Sequence, residues 1–209
     1  VSAITKQGIP ELIASIEDTL ISIESREDFG RPVLPIDRSF SVSGFGTVVT
    51  GTLMDGSFTT GQEVYIEPSG LSARVRGIQM HKNKTNKALP GNRVAVNLSG
   101  VEHGEVKRGD VLTLPSTLEL SEAFDVHLTV LDNVPNALRH NMFVTLHHGS
   151  SESLVKLRLL DCDTAEPGDR IWAQLKAEQP LPVSKGDHFV IRSNMTTLGG
   201  GRVVDIKAK

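Results

Sequence analysis

Residues 35–53 read PIDRSFSVSGFGTVVTGTL, a run in which two strand-like segments flank a short turn that contains glycine. Gly44, Gly46 and Gly51 invite comparison with a dinucleotide-binding loop, but that fingerprint needs a preceding strand, a following helix and a third glycine at closer spacing. The residues after Gly46 are instead Thr and Val, which favour strands. The run therefore predicts a β-hairpin whose glycines permit a tight turn and a close approach of two backbones.

Away from this hairpin, the pattern of apolar residues changes once along the chain. Apolar side chains recur at helical spacing between residues 9 and 20, which predicts one amphipathic helix there. After Gly30, short alternating runs separated by Gly, Pro, Asn and Asp take its place. They predict strands near residues 33–42, 46–54, 62–67, 73–79, 93–98, 110–114, 123–131, 142–148, 153–160, 170–176, 188–192 and 202–206. This many strands without intervening helices indicate a mainly β protein of antiparallel barrels or sandwiches.

The length and composition are those of an ordinary globular chain. Its 209 residues, of which 38% are hydrophobic and 22% charged, suffice for two domains of about a hundred residues each. The turn-rich link at residues 114–117 is the predicted division between them. No apolar run approaches the roughly 18 residues that a membrane span needs, and residues 1–20 lack the apolar core and cleavage site of a signal peptide. We therefore expect a cytoplasmic protein without a membrane partner.

Basic residues are concentrated in one segment of the chain. The formal net charge of the whole chain is −3, yet residues 68–101 contain no Asp or Glu. The basic residues of this segment are Arg74, Arg76, Lys82, Lys84, Lys87 and Arg93. Such a segment is either an electrostatic footprint for phosphate groups or a solvated loop, and charge alone leaves both interpretations open.

Neither metal nor nucleophile chemistry is indicated by the sequence. His147, His148 and Cys162 could be considered as zinc ligands, but neighbours on a strand point to opposite faces and further ligands at metal-like spacing are lacking. His148 alternates with Val144 and Leu146, which indicates a packed histidine with a satisfied ring. Cys162 cannot form an internal disulfide and is interpreted as a small buried hydrophobe. We expect no metal site and no catalytic residue, and the absence of a Gly-x4-Gly-Lys-Ser/Thr loop predicts no P-loop nucleotide site.

Arg38 has the most unusual setting in the sequence. Strict alternation places it on the same face as Ile36, Phe40 and Val42, which is the apolar face. An arginine on a buried face needs a partner, because an uncompensated buried charge is costly. Three interpretations stay open: a salt bridge at the end of the sheet, a bulge that turns Arg38 outward, or an anion-binding site. Arg93, by the same alternation, lies on the polar face of its strand.

Two longer motifs resemble one family. Residues 35–53 resemble the opening of the second domain of elongation-factor-Tu-like translational GTPases, and residues 185–205, KGDHFVIRSNMTTLGGGRVVD, resemble the closing strands of their third domain. The forms IDR at residues 36–38, LSGVE at residues 98–102 and LHH at residues 146–148 are most similar to the selenocysteine-specific elongation factors, known as SelB. The resemblance covers essentially the whole chain. It implies two consecutive antiparallel β-barrels, of the domain II and domain III type, preceded by one N-terminal helix.

The resemblance also implies the limits of three segments. Residues 1–29 are expected to be the C-terminal remnant of a GTP-binding domain, with its last guanine-contacting motif at Ser2 and Ala3 followed by its final helix. Residues 30–116 are expected to form barrel domain II, and residues 117–209 barrel domain III. GTP and Mg²⁺ would belong to the parent GTPase. This chain alone is expected to carry no cofactor and to hydrolyse no GTP.

For the parent protein, the resemblance implies a translational GTPase that carries selenocysteinyl-tRNA to the ribosome at a recoded stop codon. In such factors the aminoacyl end lies between the GTP-binding domain and the first barrel, and the second barrel helps to hold the tRNA stem. Bacterial members also read an mRNA hairpin with additional C-terminal domains. The expected partners are therefore selenocysteinyl-tRNA, the ribosome, the GTP-binding domain and, in the full protein, an mRNA hairpin, with the chain itself a monomer.

The resemblance assigns roles to individual residues. The aminoacyl pocket would be formed by Arg38, Phe40, His81 and Arg93, and the tRNA-contacting residues would be Gln79, Lys82, Lys84, Lys87, Arg74 and Arg76, the first two near the terminal adenosine. In the general elongation factor the position of Arg38 is acidic and that of Arg93 is an uncharged amide. A selenol is much more acidic than a thiol, whose pKa is about 8.5, so selenocysteine arrives as an anion. Two arginines would favour that anion over the neutral serine carried by the precursor of the same tRNA.

Three other functions stay open at this point. A general elongation or initiation factor of the same superfamily shares the barrels but should lack the arginines at positions 38 and 93. The sulfate-activating GTPase subunit has similar barrels that serve protein contacts and regulation, so tRNA binding would separate it. A pure interaction module would be favoured if the basic segment were disordered and inert.

Overall fold

A single helix precedes the β structure of this chain. The computed structural model describes residues 1–22 and 29–208. The helix, α1, spans Ile9–Ser22, as the helical spacing predicted. No residue of α1 is buried, and its apolar stripe, which includes Leu12, Ile13 and Ile16, faces solvent. Within the described residues, no helix has the length and apolar character needed to cross a membrane.

The first half of the chain forms a closed antiparallel barrel. Its strands are β1 (Val33–Val42), β2 (Gly46–Thr52), β3 (Phe58–Thr59), β4 (Glu63–Glu67), β5 (Leu71–Met80), β6 (Asn83–Thr85), β7 (Lys87–Ala88), β8 (Arg93–Ser99) and β9 (Val111–Thr113). The order β4-β9-β1-β2-β8-β5 is closed by the pairing of β5 with β4, β6 extends the sheet beside β5, and β3 pairs with β7. Alternate apolar side chains fill the interior, among them Leu34, Val49, Val64, Val75 and Val96.

The second half repeats this architecture with its own core. Its strands are β10 (Leu120–Val130), β11 (Leu138–Arg139), β12 (Met142–His148), β13 (Ser151–Leu159), β14 (Thr164–Ala165), β15 (Arg170–Pro182), β16 (His188–Ser193) and β17 (Thr196–Asp205). Six of them close a barrel in the order β10-β15-β13-β12-β16-β17, and β11 pairs with β14. The interior is packed by side chains that include Phe124, Leu128, Leu146, Leu157 and Leu175.

Two glycines allow neighbouring strands to approach closely. A Cβ atom on Gly51 would collide with the carbonyl oxygen of Pro35, and a Cβ atom on Gly201 would collide with that of His127. Any larger residue would push the strands apart at these points. The predicted role of Gly51 in a close backbone approach is therefore confirmed.

The expected fold class is confirmed: the chain is mainly β, with one helix before two consecutive antiparallel barrels. All twelve predicted strands are present, with some of their ends displaced. The strands β3, β6, β7, β11 and β14 were not predicted, because their two or three residues show no alternation; β9 is equally short, but it lies in the apolar run of residues 111–114. β17 begins earlier than predicted, since Gly199, Gly200 and Gly201 carry no side chains that could reveal a pattern. The chain passes from β9 to β10 through residues 114–119, where the domain limit remains a prediction.

Candidate anion-binding site on the first barrel

Arg38 is turned outward by a bulge in β1. Ile36 pairs with Gly51 and Arg38 with Thr50, so Asp37 is an extra residue in β1 relative to β2. Ile36 is buried, whereas Arg38 is exposed. The prediction from strict alternation that Arg38 lies on the apolar face with Ile36 is therefore wrong. The extra residue in β1 reverses the face to which the side chains after it point. The bulge is the interpretation that the structure supports, and it re-aims the following side chains towards solvent.

Asp37 and Arg93 form a bidentate ion pair on this outer surface. The Arg93 Nη1 and Nη2 atoms donate to the Oδ2 and Oδ1 atoms of Asp37 at 2.5 and 2.9 Å. The Thr50 hydroxyl donates to Oδ1 of the same carboxylate at 2.8 Å. The side chains are 57% and 28% exposed for Arg93 and Asp37, respectively. The two parallel bonds fix the guanidinium plane of Arg93 as well as its charge.

The charges around Asp37 change its acidity and that of Arg93. Partial burial by itself would raise the pKa of Asp37, but hydrogen bonds from Arg93 and Thr50, together with the charges of Arg93 and Arg38, outweigh it and lower that pKa below its usual value. The hydrogen bonds and charge of Asp37 raise the pKa of Arg93. Asp37 is therefore ionised throughout the neutral pH range, and Arg93 stays protonated.

Arg38 contributes a cation that no described carboxylate neutralises. Among residues 1–22 and 29–208, its guanidinium forms neither an ion pair nor a hydrogen bond, although its charge acts on Asp37. One aspartate between two arginines leaves the group with a net charge of about +1 at neutral pH. A guanidinium presents several N–H donors, so an anionic ligand could be bound at Arg38 while Arg93 is held in place.

The register of the first barrel aligns several predicted residues on one outer face. One row of paired positions crosses five neighbouring strands, and from β1 to β6 its members are Arg38, Thr50, Ala95, Gln79 and Lys84. Arg93 lies on the same face of β8, as its alternation predicted, and pairs with Thr52. Phe40 lies two residues beyond Arg38 and is 39% exposed. The sheet thus brings Arg38, Arg93, Phe40 and Gln79 to one surface.

His81 and Lys82 form the turn between β5 and β6. Both have positive φ angles, 49° and 67°, and both side chains are exposed. The Gln79 Nε2 atom donates to the Lys82 carbonyl at 2.9 Å, which ties the turn to β5. His81 directly follows Met80, and Met80 pairs with Val94, the neighbour of Arg93. The turn therefore projects from the edge of the sheet close to the Arg93 end of the site.

The remaining basic residues follow the edge of the same barrel. Arg74 and Arg76 are exposed on β5, Lys84 is exposed on β6 and Lys87 on β7. Within the described chain none of them forms an ion pair. The acid-free segment is therefore largely folded into strands, with its charges directed to solvent. This segment is therefore not the disordered loop that would have favoured a pure interaction module.

Ser2 and Ala3 lie apart from this surface in a turn before α1. The Ser2 N–H donates to the Gln7 carbonyl at 3.0 Å, and the Ser2 hydroxyl accepts from the Thr5 N–H at 3.2 Å. In the described part of the chain, no hydrogen bond or ion pair joins residues 1–22 to either barrel. Their expected role in contacting guanine therefore stays a prediction.

Sequence reasoning missed two polar residues of this face. Asp37 is one of them: the sequence indicates that Arg38 needs a partner, but it does not show that the adjacent Asp37 is bonded to Arg93. Asn97 lies on the outer face of β8, where its Nδ2 atom donates to the Phe45 carbonyl at 2.8 Å. Its Oδ1 atom is buried without a hydrogen-bond partner among the described residues. No pattern in the sequence indicates that vacancy in its bonding.

His148 and Cys162, which were considered as zinc ligands, both pack against other residues of the second barrel. The His148 Nε2 atom lies 2.9 Å from the Asp187 Oδ2 atom, so the prediction of a packed histidine with a satisfied ring is confirmed. Cys162 is partly buried against the second core. Burial and the neighbouring Asp161 raise the pKa of its thiol, which disfavours the reactive thiolate form. Within the described residues, no three potential ligands are grouped to hold a metal.

Comparisons with known proteins divide the chain as its two barrels do. The family model described as "Elongation factor Tu domain 2" matches residues 46–113. The model described as "Selenocysteine-specific elongation factor, beta-barrel domain" matches residues 125–209. The first match includes β2 to β9 of the first barrel, and the second covers most of the other barrel.

Two curated proteins similar to this chain carry the same description. A selenocysteine-specific elongation factor of Desulfomicrobium baculatum is 43% identical over 210 residues, which cover 98% of this chain and 33% of that protein. A selenocysteine-specific elongation factor of Haemophilus influenzae is 33% identical over 211 residues, which cover 99% of this chain and 33% of that protein. The chain spans about a third of the length of these curated relatives.

Proposed function

This chain belongs to the selenocysteine-specific elongation factor family, and we propose that its two barrels hold selenocysteinyl-tRNA for GTP-dependent delivery to the ribosome. GTP and Mg²⁺ would be bound by the GTP-binding domain of the parent factor, and an mRNA hairpin by further C-terminal domains. We propose that this delivery takes place in the cytoplasm. Family membership favours this role over that of a general elongation factor, an initiation factor or a sulfate-activating GTPase subunit.

The observation that carries the proposal is the cationic group formed by Arg38, Asp37 and Arg93. A selenolate has a charge of −1, which matches the net charge of about +1 of this group. Asp37 holds Arg93 by two bonds, so the guanidinium is oriented before a ligand arrives. Arg38 has no such partner among the described residues, so its guanidinium can donate to the incoming anion. We therefore assign the main contact with selenium to Arg38 and an orienting, supporting contact to Arg93.

Serine would be disfavoured by this group because its hydroxyl is neutral. A hydrogen bond with one charged partner contributes about 1.5–3 kcal/mol, against about 0.5–1.5 kcal/mol for a neutral pair. Arg38 would therefore bind a selenolate more tightly than a hydroxyl of similar position. The unpaired charge would also remain poorly satisfied when serine is bound. The discrimination is thus a difference in electrostatics and does not require a difference in pocket size.

The basic edge of the first barrel suits the phosphates of the tRNA acceptor end. The hydrogen bond from the Gln79 side chain to the Lys82 carbonyl connects the site to this edge. Arg74, Arg76, Lys84 and Lys87 are exposed and unpaired with described acids, so they can contact phosphates with little competition. Such contacts position the RNA and contribute salt-dependent affinity without reading its sequence.

Substitution of each arginine in the full factor tests this assignment. With GTP bound, affinities for selenocysteinyl-tRNA and for the seryl form of the same tRNA are measured before and after Arg38→Ala and Arg93→Ala. Arg38→Ala should lower the affinity for the selenocysteinyl form by about ten- to a hundredfold and that for the seryl form much less. Arg93→Ala should cost at least as much, because Asp37 then faces the selenolate unpaired. The two losses need not add, since both residues share one ligand.

The control is Arg170→Ala, an exposed arginine on the second barrel whose removal changes the net charge equally. It should leave the ratio of the two affinities unchanged. If Arg38→Ala and Arg93→Ala lower both affinities by the same factor, the arginines only position tRNA or support the fold. The account of selenocysteine specificity would then be wrong.

A further inference from the structure

The turn between β12 and β13 of the second barrel contacts the first barrel beside the bulge. Gly149 and Ser150 form the tip of this turn. A Cβ atom on Gly149 would lie 3.3 Å from the Cβ atom of Pro35, so the tip packs tightly against β1. The Ser150 hydroxyl donates to the Ile36 carbonyl at 2.8 Å. A residue of the second barrel is thus bonded to the backbone that immediately precedes the Arg38 site.

Ile36 is the last fixed residue of β1 before the bulge. Its N–H donates to the Asp110 carbonyl at 2.8 Å, and its carbonyl accepts from the Gly109 N–H at 2.9 Å and from the Ser150 hydroxyl at 2.8 Å. Its side chain is fully buried. One residue later β1 leaves its register with β2, and Arg38 turns to solvent. Because a bulge bends its strand, the direction of the side chains beyond it depends on how the flanking backbone is held.

We propose that Ser150 is a positioning residue for the Arg38 site: its hydroxyl, supplied by the second barrel, fixes the Ile36 carbonyl and thereby the direction of Asp37 and Arg38. This inference rests on the proposed function for its consequence, selenocysteine selection, but its structural content is independent of it. It makes the contact between the barrels part of the specificity site.

A second serine in the same turn provides a matched control. The Ser151 hydroxyl donates to the His148 carbonyl at 2.8 Å, within the hairpin itself. Ser151→Ala therefore removes a hydroxyl of the same turn without removing the bond to the first barrel. Ser150→Thr retains a hydroxyl at position 150 and should restore what Ser150→Ala loses. Together, the three variants distinguish the effect of losing the bond to Ile36 from the effect of a less stable hairpin.

The first measurement is the titration of the Asp37 carboxylate by carbon-detected NMR in the 209-residue chain. Asp37 has a lowered pKa because Arg93, Thr50 and Arg38 surround it. If Ser150→Ala relaxes the bulge, the pKa of Asp37 should rise towards its ordinary value of about 3.9. Ser151→Ala and Ser150→Thr should leave it as in the wild type. An unchanged Asp37 titration in Ser150→Ala overturns the proposal whatever the protein binds.

The second measurement is the ratio of affinities of the full factor for the selenocysteinyl and seryl forms of its tRNA. Ser150→Ala should lower this ratio by about two- to tenfold, the range expected for one net hydrogen bond. An equal loss of both affinities would overturn the positioning role and make Ser150 merely structural. If the Asp37 titration responds but the wild-type factor itself does not prefer the selenocysteinyl form, the positioning role stands and the proposed function fails.

Discussion

Arg38 and Arg93 differ in their surroundings although both lie beside Asp37. Arg93 is held by two bonds to the carboxylate, whereas Arg38 acts on it only through its charge. The pair is partly exposed, so its contribution to stability is about 1 kcal/mol or less. Its value to the site is geometric, because a fixed guanidinium loses little freedom when a ligand binds.

The ion pair predicts a specific pH dependence of stability. The pKa of Asp37 is lowered in the folded protein, so the pair stabilises the fold above the unfolded value of about 3.9 and loses this effect as pH falls through the folded pKa. Asp37→Asn should therefore be less stable than the wild type at pH 7, by about 1 kcal/mol or less. The difference should be constant between pH 5 and 8, and it should shrink as the pH falls below about 3.9 and through the lowered pKa of Asp37.

Urea unfolding of both proteins at pH 7, 5 and 3 measures this difference. Glu178→Gln is the control, since that exposed carboxylate forms no ion pair with a described residue. A gap between wild type and Asp37→Asn that persists unchanged at pH 3 would mean that the carboxylate's charge is not its source.

The sequence could predict some residues of the site and not others, for a physical reason. Arg93 lies on the outer face of β8 because its strand alternates without interruption, and alternation predicted this correctly. Arg38 follows a bulge, and the position of a bulge depends on how two strands pair and not on the residues of one strand. Asp37 became visible as a partner only when β8 was placed two strands away from β1.

At the scale of elements, every strand of five or more residues was predicted, whereas five of the six strands of two or three residues were missed because their existence depends on tertiary pairing. β6 is such a short strand, and it determines how the basic segment is presented. Pairing of β6 with β5 and of β7 with β3 places the lysines of residues 82–87 along an ordered edge. An ordered array of unpaired cations matches a phosphate backbone better than a mobile loop does, because fewer side chains must be fixed on binding.

This edge predicts the salt dependence of tRNA binding. If Lys82, Lys84 and Lys87 each contact one phosphate, replacing all three by Ala should flatten the plot of log affinity against log salt by about two to three units. The measurement is tRNA binding to the 209-residue chain over a series of salt concentrations. Lys207→Ala is the control, because Lys207 is already paired with Glu119 and should not alter the slope. An unchanged slope in the triple variant would make the segment a solvated surface.

At the scale of the whole molecule, the barrels are two closed units with separate cores that touch at the β12–β13 turn. α1 contributes no buried residue to either core. The free energy of folding should therefore come from the barrels, because burial of apolar surface is the dominant favourable term. The sequence indicated two strand sets, but it gave no sign that their contact lies beside the bulge of β1.

The last prediction concerns what the barrels do without a nucleotide-binding domain. The 209-residue chain should give a β-dominated circular dichroism spectrum and a cooperative thermal unfolding transition, since each barrel has its own apolar core. A shortened chain beginning at residue 29 should melt within a few degrees of it, because a helix without buried residues adds little to either core. Neither protein should bind GTP in a calorimeter, as the sequence has no Gly-x4-Gly-Lys-Ser/Thr loop to hold the phosphates. A large loss of stability on shortening would show that α1 folds together with the barrels. Tight GTP binding by either protein would contradict the proposal that GTP is bound by the GTP-binding domain and not by the barrels.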